Sequence, residues 1–281
     1  MNDTPHIIIV TYNGMQWLSK CLESTTPYPV VIVDNNSTDD TVEYIKRNHP
    51  EMKLIVQTKN LGFGQANNIG ISYALREGAE YIFLLNQDAY LKPGCIERLI
   101  NSQRKSPEYG ILSPLHLNGQ GDRLDNYFSN YLNFRANPDF YSDFVLNKPR
   151  KEIYEVPFVN AAGWLVSRKC LETVGGFDPM FFHYGEDDNY CQRVHYHGLK
   201  VGVCPETSLK HDRETREIKK MESGTSEYFE NKAKSLKIRF TNINKPYLNE
   251  LLILGRKRKR AWKKSLFKLK FKQAAYLKLE I

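Results

Sequence analysis

The stretch His6-Ile7-Ile8-Ile9-Val10-Thr11-Tyr12-Asn13 is a β-branched apolar run that breaks off into polar residues. Val30–Asn35, Leu54–Thr58 and Tyr81–Leu85 repeat the pattern. Continuous apolar runs of this length suit strands buried on both faces, as in a parallel sheet covered by helices. Helix patterns lie between and after them, at Met15–Ser24, Thr38–Asn48, Gln65–Arg76 and Gly94–Lys105. Ser37 followed by Asp40 reads as a capping box with a shortened acid, and Asp39 and Asp40 complement a helix N-terminus. The β-α-β-α alternation predicts an α/β domain with ligands at the carboxyl ends of its strands.

From about 115 to 155 the periodicity fades into Asn, Asp, Pro and Tyr, and an irregular stretch is expected there. Structure resumes at Val156–Ser167, with a Gly-Gly turn at 175–176, a helix opening near Glu186 and a strand at Lys200–Val203. A helix at Glu227–Phe240 precedes a basic tail. With 281 residues, 41% apolar and 26% charged, the chain can bury a sizeable core and is not a disordered sequence. Of the net charge of +8, residues 255–281 contribute +10 (11 basic, one acidic), leaving −2 for residues 1–254. A near-neutral body with a basic tail removes the composition argument for nucleic-acid binding by the body. Five dispersed cysteines without a C-x-x-C pair read as buried thiols in a reducing compartment, not as a zinc site or disulfide framework. Ile7–Val10 is too short to span a bilayer or to form a signal-peptide core, so a cytoplasmic protein is expected.

Four polar clusters sit where strands end: Thr11-Tyr12-Asn13, Asp34-Asn35-Asn36-Ser37, Asn60 through Asn68, and Asn86-Gln87-Asp88. One such cluster is ordinary turn chemistry. Four in succession on one sheet edge converge on a crevice. Gly62-x-Gly64-x-x-Asn67 only imitates the dinucleotide fingerprint and follows the wrong strand, and no P-loop occurs. The glycines leave room for backbone to approach a ligand.

In order, Ile-Val-Thr-Tyr-Asn, Val-Asp-Asn-Asn-Ser-x-Asp, Asn-x-Gly-Phe-Gly-x-Ala-x-Asn-x-Gly and Leu-Asn-x-Asp resemble the family 2 inverting glycosyltransferases of GT-A fold, in their bacterial rhamnosyltransferase-like branch. Asn160-Ala161-Ala162-Gly163-Trp164, Gly175-Gly176-Phe177-Asp178 and Tyr184-Gly185-Glu186-Asp187 continue the match through about residue 215. The resemblance implies a GT-A domain at 1–215, a mixed and mainly parallel sheet flanked by helices, followed by a helical basic extension at 216–281. It implies a dTDP- or UDP-linked sugar donor and a saccharide or lipid-linked saccharide acceptor, in bacterial surface polysaccharide or lipopolysaccharide synthesis.

The implied donor contacts are Thr11, Asn13, Asp34, Asn35, Asn60, Gly62, Asn67 and Asn86. Asp88 matches the last acid of the family's metal-binding D-x-D, and His211 matches its late histidine. Both are expected to serve Mg²⁺ or Mn²⁺, cations that favour carboxylate oxygen. Asn86 replaces the first acid, which implies a weakly held metal, and His183 competes with His211. Asp187 matches the general base, beside Glu186 and Asp188, and crowding among these acids is expected to raise its pKa. Trp164, with Gly163, either stacks on an acceptor sugar or fills the core; the sequence leaves both open. Two rival readings are a nucleotidyltransferase, whose basic phosphate loop is missing from Thr11–Ser19, and a non-catalytic protein acting through its tail. In that tail, Trp262, Leu266, Leu269 and Phe271 recur at near-helical spacing among cations over 255–272. The spacing suits docking on an anionic membrane, at the inner face of the cytoplasmic membrane; no nucleic-acid partner is expected.

Overall fold

Ile7, Ile8 and Ile9 are all fully buried, Ile8 in one core and its two neighbours in another. Successive strand residues alternate faces, and here helices cover both. The computed structural model describes residues 4–213 and 225–267. The chain divides into two compact units, Met1–Arg216 and Glu217–Ile281.

In the first unit β1 (His6–Thr11) lies between β2 (Val30–Asp34) and β4 (Tyr81–Asn86), parallel to each, and β3 (Lys53–Val56) extends this parallel set beyond β2. Past β4 the sheet changes direction. β8 (Gly163–Ser167) runs antiparallel to β4 and to β6 (Tyr109–Asn118), and β9 (Lys200–His211) runs parallel to β6. β5 (Ala89–Leu91) and β7 (Tyr154–Glu155) both pair antiparallel with β9, which completes a mixed sheet in the order β3-β2-β1-β4-β8-β6-β9-β5.

Helices α1 (Met15–Glu23), α2 (Thr41–Asn48) and α4 (Cys95–Lys105) bury Leu18, Leu22, Ile45, Ile96 and Leu99 in the core shared with Ile7 and Ile9. On the Ile8 side lie α3 (Phe63–Arg76), α5 (Asn126–Tyr131), α6 (Pro138–Val145), α7 (Arg168–Val174) and α8 (Glu186–Tyr196). The five cysteines are free and buried.

Three expectations about local structure change. Helix α2 starts at Thr41, not Thr38, and Ser37 does not cap it. The Ser37 hydroxyl donates to Asp34 at 2.5 Å, while Asp39 accepts from the Thr41 N–H at 3.1 Å. Residues 115–155 are also ordered. Asp125 accepts from Tyr127 and Phe128 N–H to cap α5, and Asn137 accepts from Asp139 and Phe140 N–H to cap α6. These helices are too short for periodicity to reveal, but their caps are good sequence signals. Finally, β6 was hidden because Ser113, Pro114 and His116 interrupt its apolar run. A register shift at Pro114/Leu115 accommodates the proline.

The second unit holds α9 (Ser226–Phe240), capped by Thr225 accepting from the Tyr228 N–H, and α10 (Tyr247–Phe267). The basic run from Arg256 to Lys264 is helical, continuous with an exposed apolar stretch that includes Leu248, Leu251, Leu252 and Ile253. The expected anchors Leu269 and Phe271 lie outside the described residues.

Candidate active site

Strand register brings the polar clusters together. Thr11 pairs with Asp34 across β1 and β2, and Val10 pairs with Asn86 across β1 and β4. Asn86 donates its N–H to the Ala162 carbonyl at 3.1 Å, just ahead of β8. Ala89 pairs with His211, which carries the late histidine to the acid of the β4–β5 turn. His211 Nε2 lies 3.4 Å from Asp88 Oδ1, both side chains 1% exposed. Among the described residues neither ring nitrogen of His211 has a hydrogen-bond partner, nor does Oδ1 of Asn86. No group of three or more His, Cys, Asp or Glu side chains gathers as a cation site among the described residues.

The β2 end is tightly engaged. Asp34 is fully buried; its Oδ1 accepts from the hydroxyls of Thr11 and Ser37, and its Oδ2 from the Ser37 N–H at 3.0 Å. A carboxylate has about four acceptor sites, so one remains for an added group. Asn13, at φ 48°, accepts from the Thr38 N–H at 2.8 Å. Asn35 accepts from the Leu61 N–H and donates to Asn60, each at 2.8 Å, and Asn60 accepts from the Gly62 N–H. The amides of Asn13, Asn35 and Asn60 therefore tie loops together and set the shape of this end of the sheet. Asn67 donates to the Phe63 carbonyl one turn back and is buried.

The glycines of the Asn60–Asn68 segment meet the chain itself, not open space. Gly62 has φ 79°, and a Cβ there would lie 1.9 Å from the Phe182 carbonyl oxygen. A Cβ on Gly64 would press on Phe177 at 2.9 Å. The close backbone approach expected for a ligand is made by the segment leading into α8. That segment ends in Tyr184 and Gly185, both at positive φ, and then Glu186, Asp187 and Asp188 in the first helical turn.

Asp187 is half-buried, and its carboxylate accepts from backbone N–H groups of Asp188 at 2.9 Å and of Ala161. Burial raises its pKa above the ordinary carboxylate range; those backbone bonds pull the other way and lose. The expected crowding falls instead on its neighbour: Asp188 is pushed up to about 7, first by burial and then by Asp187. Ala161 and Ala162 thus link Asp187 on one side to Asn86 on the other. Glu186 is buried.

Two sequence-expected residues do not join this group. Trp164 is fully buried, with its ring stacked on Phe177 at 6.1 Å and tilted 45° against Tyr190 at 5.9 Å. Gly163 is buried in the same strand, where a Cβ would meet Leu209 at 2.2 Å. Both lie within the sheet, so Trp164 fills core and offers no ring face to an acceptor, and Gly163 is there for packing. His183 is exposed on the loop before α8, with its ring 3.9 Å from that of Tyr184.

Other residues matter more than their sequence signal suggested. Gln87 accepts from the Tyr12 N–H at 2.9 Å and donates to the Tyr12 carbonyl at 3.2 Å, clipping the β1 end to the β4–β5 turn. Asn68 makes the same two-way clip to the backbone of Phe177, both bonds 2.8 Å. Arg213 grips the carboxylate of Asp125 with Nε and a terminal nitrogen and covers the Tyr127 ring at 4.6 Å. His116, fully buried behind His211, bonds the Ser113 hydroxyl at 3.0 Å. Burial and His211 hold its pKa well below the usual histidine value. Amide-to-backbone clips such as these depend on partners up to 109 residues away, which no local pattern announces.

Residues 6–175 match the family described as Glycosyl transferase family 2. The chain is 26% identical over 239 residues to the N-acetylglucosaminyl-diphospho-decaprenol L-rhamnosyltransferase of Mycobacterium tuberculosis (strain CDC 1551 / Oshkosh), covering 76% of this chain and 77% of that protein. It is 27% identical over 219 residues to the dTDP-rhamnosyl transferase RfbF of Shigella flexneri, covering 75% and 70%. Among solved structures, S. aureus TarS 1-349 in complex with UDP-GlcNAc superposes with a TM-score of 0.60 at 15% identity, over 88% of this chain and 69% of that one. GalNAc-T7 with UDP, GalNAc and Mn2+ gives 0.56 at 19%, over 74% and 44%. At such identities the structures speak to the fold alone, and it is the GT-A fold. By motif order, sheet and family match together, this chain belongs to glycosyl transferase family 2 and is a glycosyltransferase whose sequence stands beside the family's rhamnosyltransferases.

Proposed function

We propose that the protein transfers one sugar, of the deoxyhexosyl class and with L-rhamnosyl first among them, from a dTDP- or UDP-linked donor to an acceptor hydroxyl. Transfer proceeds with inversion, and the product is a bacterial surface polysaccharide or its lipid-linked precursor. The observation that carries this reading is the short backbone path from the Asp88–His211 pair through Asn86, Ala162 and Ala161 to Asp187. In this reading the path links a buried acid–imidazole pair, suited to a leaving diphosphate, with a carboxylate suited to proton removal. The names of the relatives supply the sugar class.

In this mechanism Asp187 takes the proton of the acceptor hydroxyl as that oxygen attacks the anomeric carbon from the face opposite the leaving nucleotide. Its raised pKa makes it a stronger base than a solvated carboxylate. The Asp34–Ser37–Thr11 cluster and the Asn13, Asn35 and Asn60 clips hold the nucleotide end. Asp88 and His211 fit a divalent cation: the carboxylate offers hard oxygen, and the imidazole nitrogens have no hydrogen-bond partner among the described residues. When bound, Mg²⁺ or Mn²⁺ neutralises the charge developing on the diphosphate.

The test is a thermal-shift series with dTDP-rhamnose, UDP-GlcNAc and their nucleotides, each with Mn²⁺, followed by the anomeric configuration of the product. A ligand at a hundred times its Kd stabilises the fold by about 2.7 kcal/mol. dTDP-rhamnose is expected to raise Tm most. No stabilisation by any nucleotide sugar would overturn the reading.

The same proposal lays the basic half of α10, with the tail beyond it, on an anionic membrane surface, at the inner face of the cytoplasmic membrane. Among the described residues no helix is long and apolar enough to cross a membrane. The Arg256–Lys264 run supplies seven cations to a surface where each contributes about 1 kcal/mol. A chain ending at Leu254 is expected to keep transfer to a soluble acceptor and to stop sedimenting with anionic vesicles. Equal sedimentation of the two chains would remove this part of the proposal.

A further inference from the structure

Helix α6 buries a carboxylate beside its one core ring and leaves an apolar tip outside. Its inward residues are Phe140 and Asp143, both buried, and Asp143 Oδ2 accepts from the Tyr154 hydroxyl at 2.9 Å. Its outward end carries Phe144 at 41%, Val145 at 79% and Leu146 at 62% exposure. A surface helix ordinarily shows water its polar face and buries its apolar one. Here the carboxylate is inside and three consecutive apolar side chains are outside.

The charges around this tip lean basic, although Arg150 also has Glu206 at 3.5 Å. Between residues 134 and 151 there are four basic residues, Arg135, Lys148, Arg150 and Lys151, and two acidic ones, of which Asp143 is the buried one. The other acid, Asp139, is already matched by Lys151 at 2.5 Å. Arg150 spreads over the Phe144 ring at 5.4 Å, so that the cation and the apolar tip form one surface. An apolar wedge with a cationic collar is the arrangement that enters the boundary between lipid headgroups and acyl chains.

We propose that the α6 tip is a second membrane-contact site of this protein, inserting Val145 and Leu146 into an anionic lipid surface while Lys148 and Arg150 meet the headgroups. It lies in the same compact unit as the catalytic residues. Helix α6 follows α5, whose cap Asp125 is gripped by Arg213, two residues after His211. Lipid contact at α6 therefore engages the catalytic unit directly, with no part played by the basic run of α10. The proposal rests on exposed side chains, not on the glycosyltransferase reading, and it stands or falls separately.

All five native cysteines are buried, so V145C in the full-length chain offers a single exposed thiol for an environment-sensitive fluorophore. With vesicles containing phosphatidylglycerol the label is expected to brighten several-fold and shift to the blue, and to be quenched by spin-labelled acyl chains. K148E/R150E in the same labelled chain is expected to weaken that response about tenfold. A label that stays in water while the chain sediments with the vesicles overturns the proposal and leaves membrane contact to α10 alone. A label already shielded without lipid also overturns it, pointing to the C-terminal unit as the cover, or to a second copy if shielding grows with protein concentration. Transfer activity of V145C on a soluble acceptor, expected to be unchanged, reports on the catalytic reading independently.

Discussion

Asp187→Asn is expected to reduce glycosyl transfer by about a hundred- to ten-thousand-fold, the range a positioned general base supplies, and to leave donor affinity nearly unchanged. The amide keeps an oxygen that accepts from the N–H groups of Asp188 and Ala161, so the start of α8 retains its geometry. What is lost is the ability to take a proton. The pH profile separates this from a general disturbance. Because burial raises the pKa of Asp187, wild-type transfer falls as pH drops through a value above the ordinary carboxylate range, where the base becomes protonated. The residual activity of the variant has no such limb.

Stability moves the other way. A carboxyl whose folded pKa is raised favours the folded state at low pH, and that contribution is lost as pH rises through the folded pKa. At neutral pH the folded chain therefore carries the cost of a buried charge at Asp187, and the asparagine variant is expected to unfold at the same urea concentration or a higher one. Near-wild-type transfer in the variant would move the base to Asp188, whose own pKa of about 7 makes it the alternative.

Asp88→Ala and excess EDTA are expected to have the same outcome, loss of transfer by at least about a hundred-fold, the scale of removing one preorganised stabiliser of developing negative charge. Asp88 lies in the β4–β5 turn and His211 at the end of β9, and the β5–β9 register with the Asp212 N–H bond to the Asp88 carbonyl at 2.7 Å brings them together. Removing the carboxylate leaves the imidazole with no anionic partner for a cation. Asp88→Asn keeps the volume and removes the charge, so failure of both variants assigns the loss to charge and not to a cavity. In the variants, added Mn²⁺ is expected no longer to raise the Tm of the nucleotide-bound protein. Full transfer by the wild type in excess EDTA would transfer leaving-group stabilisation to lysine or arginine side chains.

Much of this protein was decided locally. Runs such as Ile7–Val10 and Val30–Val33 can be buried on both faces only in a sheet covered by helices on both sides. Where each run stops at Thr11, Asp34 or Asn86, the parallel register sets those stops side by side. The position of Asp187 at the head of a helix follows from the same kind of local pattern, whereas the strand expected at Lys200–Val203 runs on to His211. The motif order from Ile9 through Asp187 was therefore enough to indicate the fold, the family and the candidate acids.

Tertiary structure decided what each side chain does. Trp164 has the composition of a sugar platform, yet the sheet encloses it between Phe177 and Tyr190. Asn35 and Asn60 look like ligand contacts, and in the packed chain their amides also hold loops together. Gly62 and Gly64 make room for the protein's own Phe177–Phe182 segment. The crowding expected at Asp187 gave way to burial, because exposure to water is set by whatever segments fold over a group and not by its sequence neighbours. Hydrophobic periodicity is a property of one segment at a time, so it fixes strands, helices and their ends. Hydrogen-bond partners, solvent access and pKa belong to pairs of segments up to a hundred residues apart, and only the packed chain brings those pairs into contact.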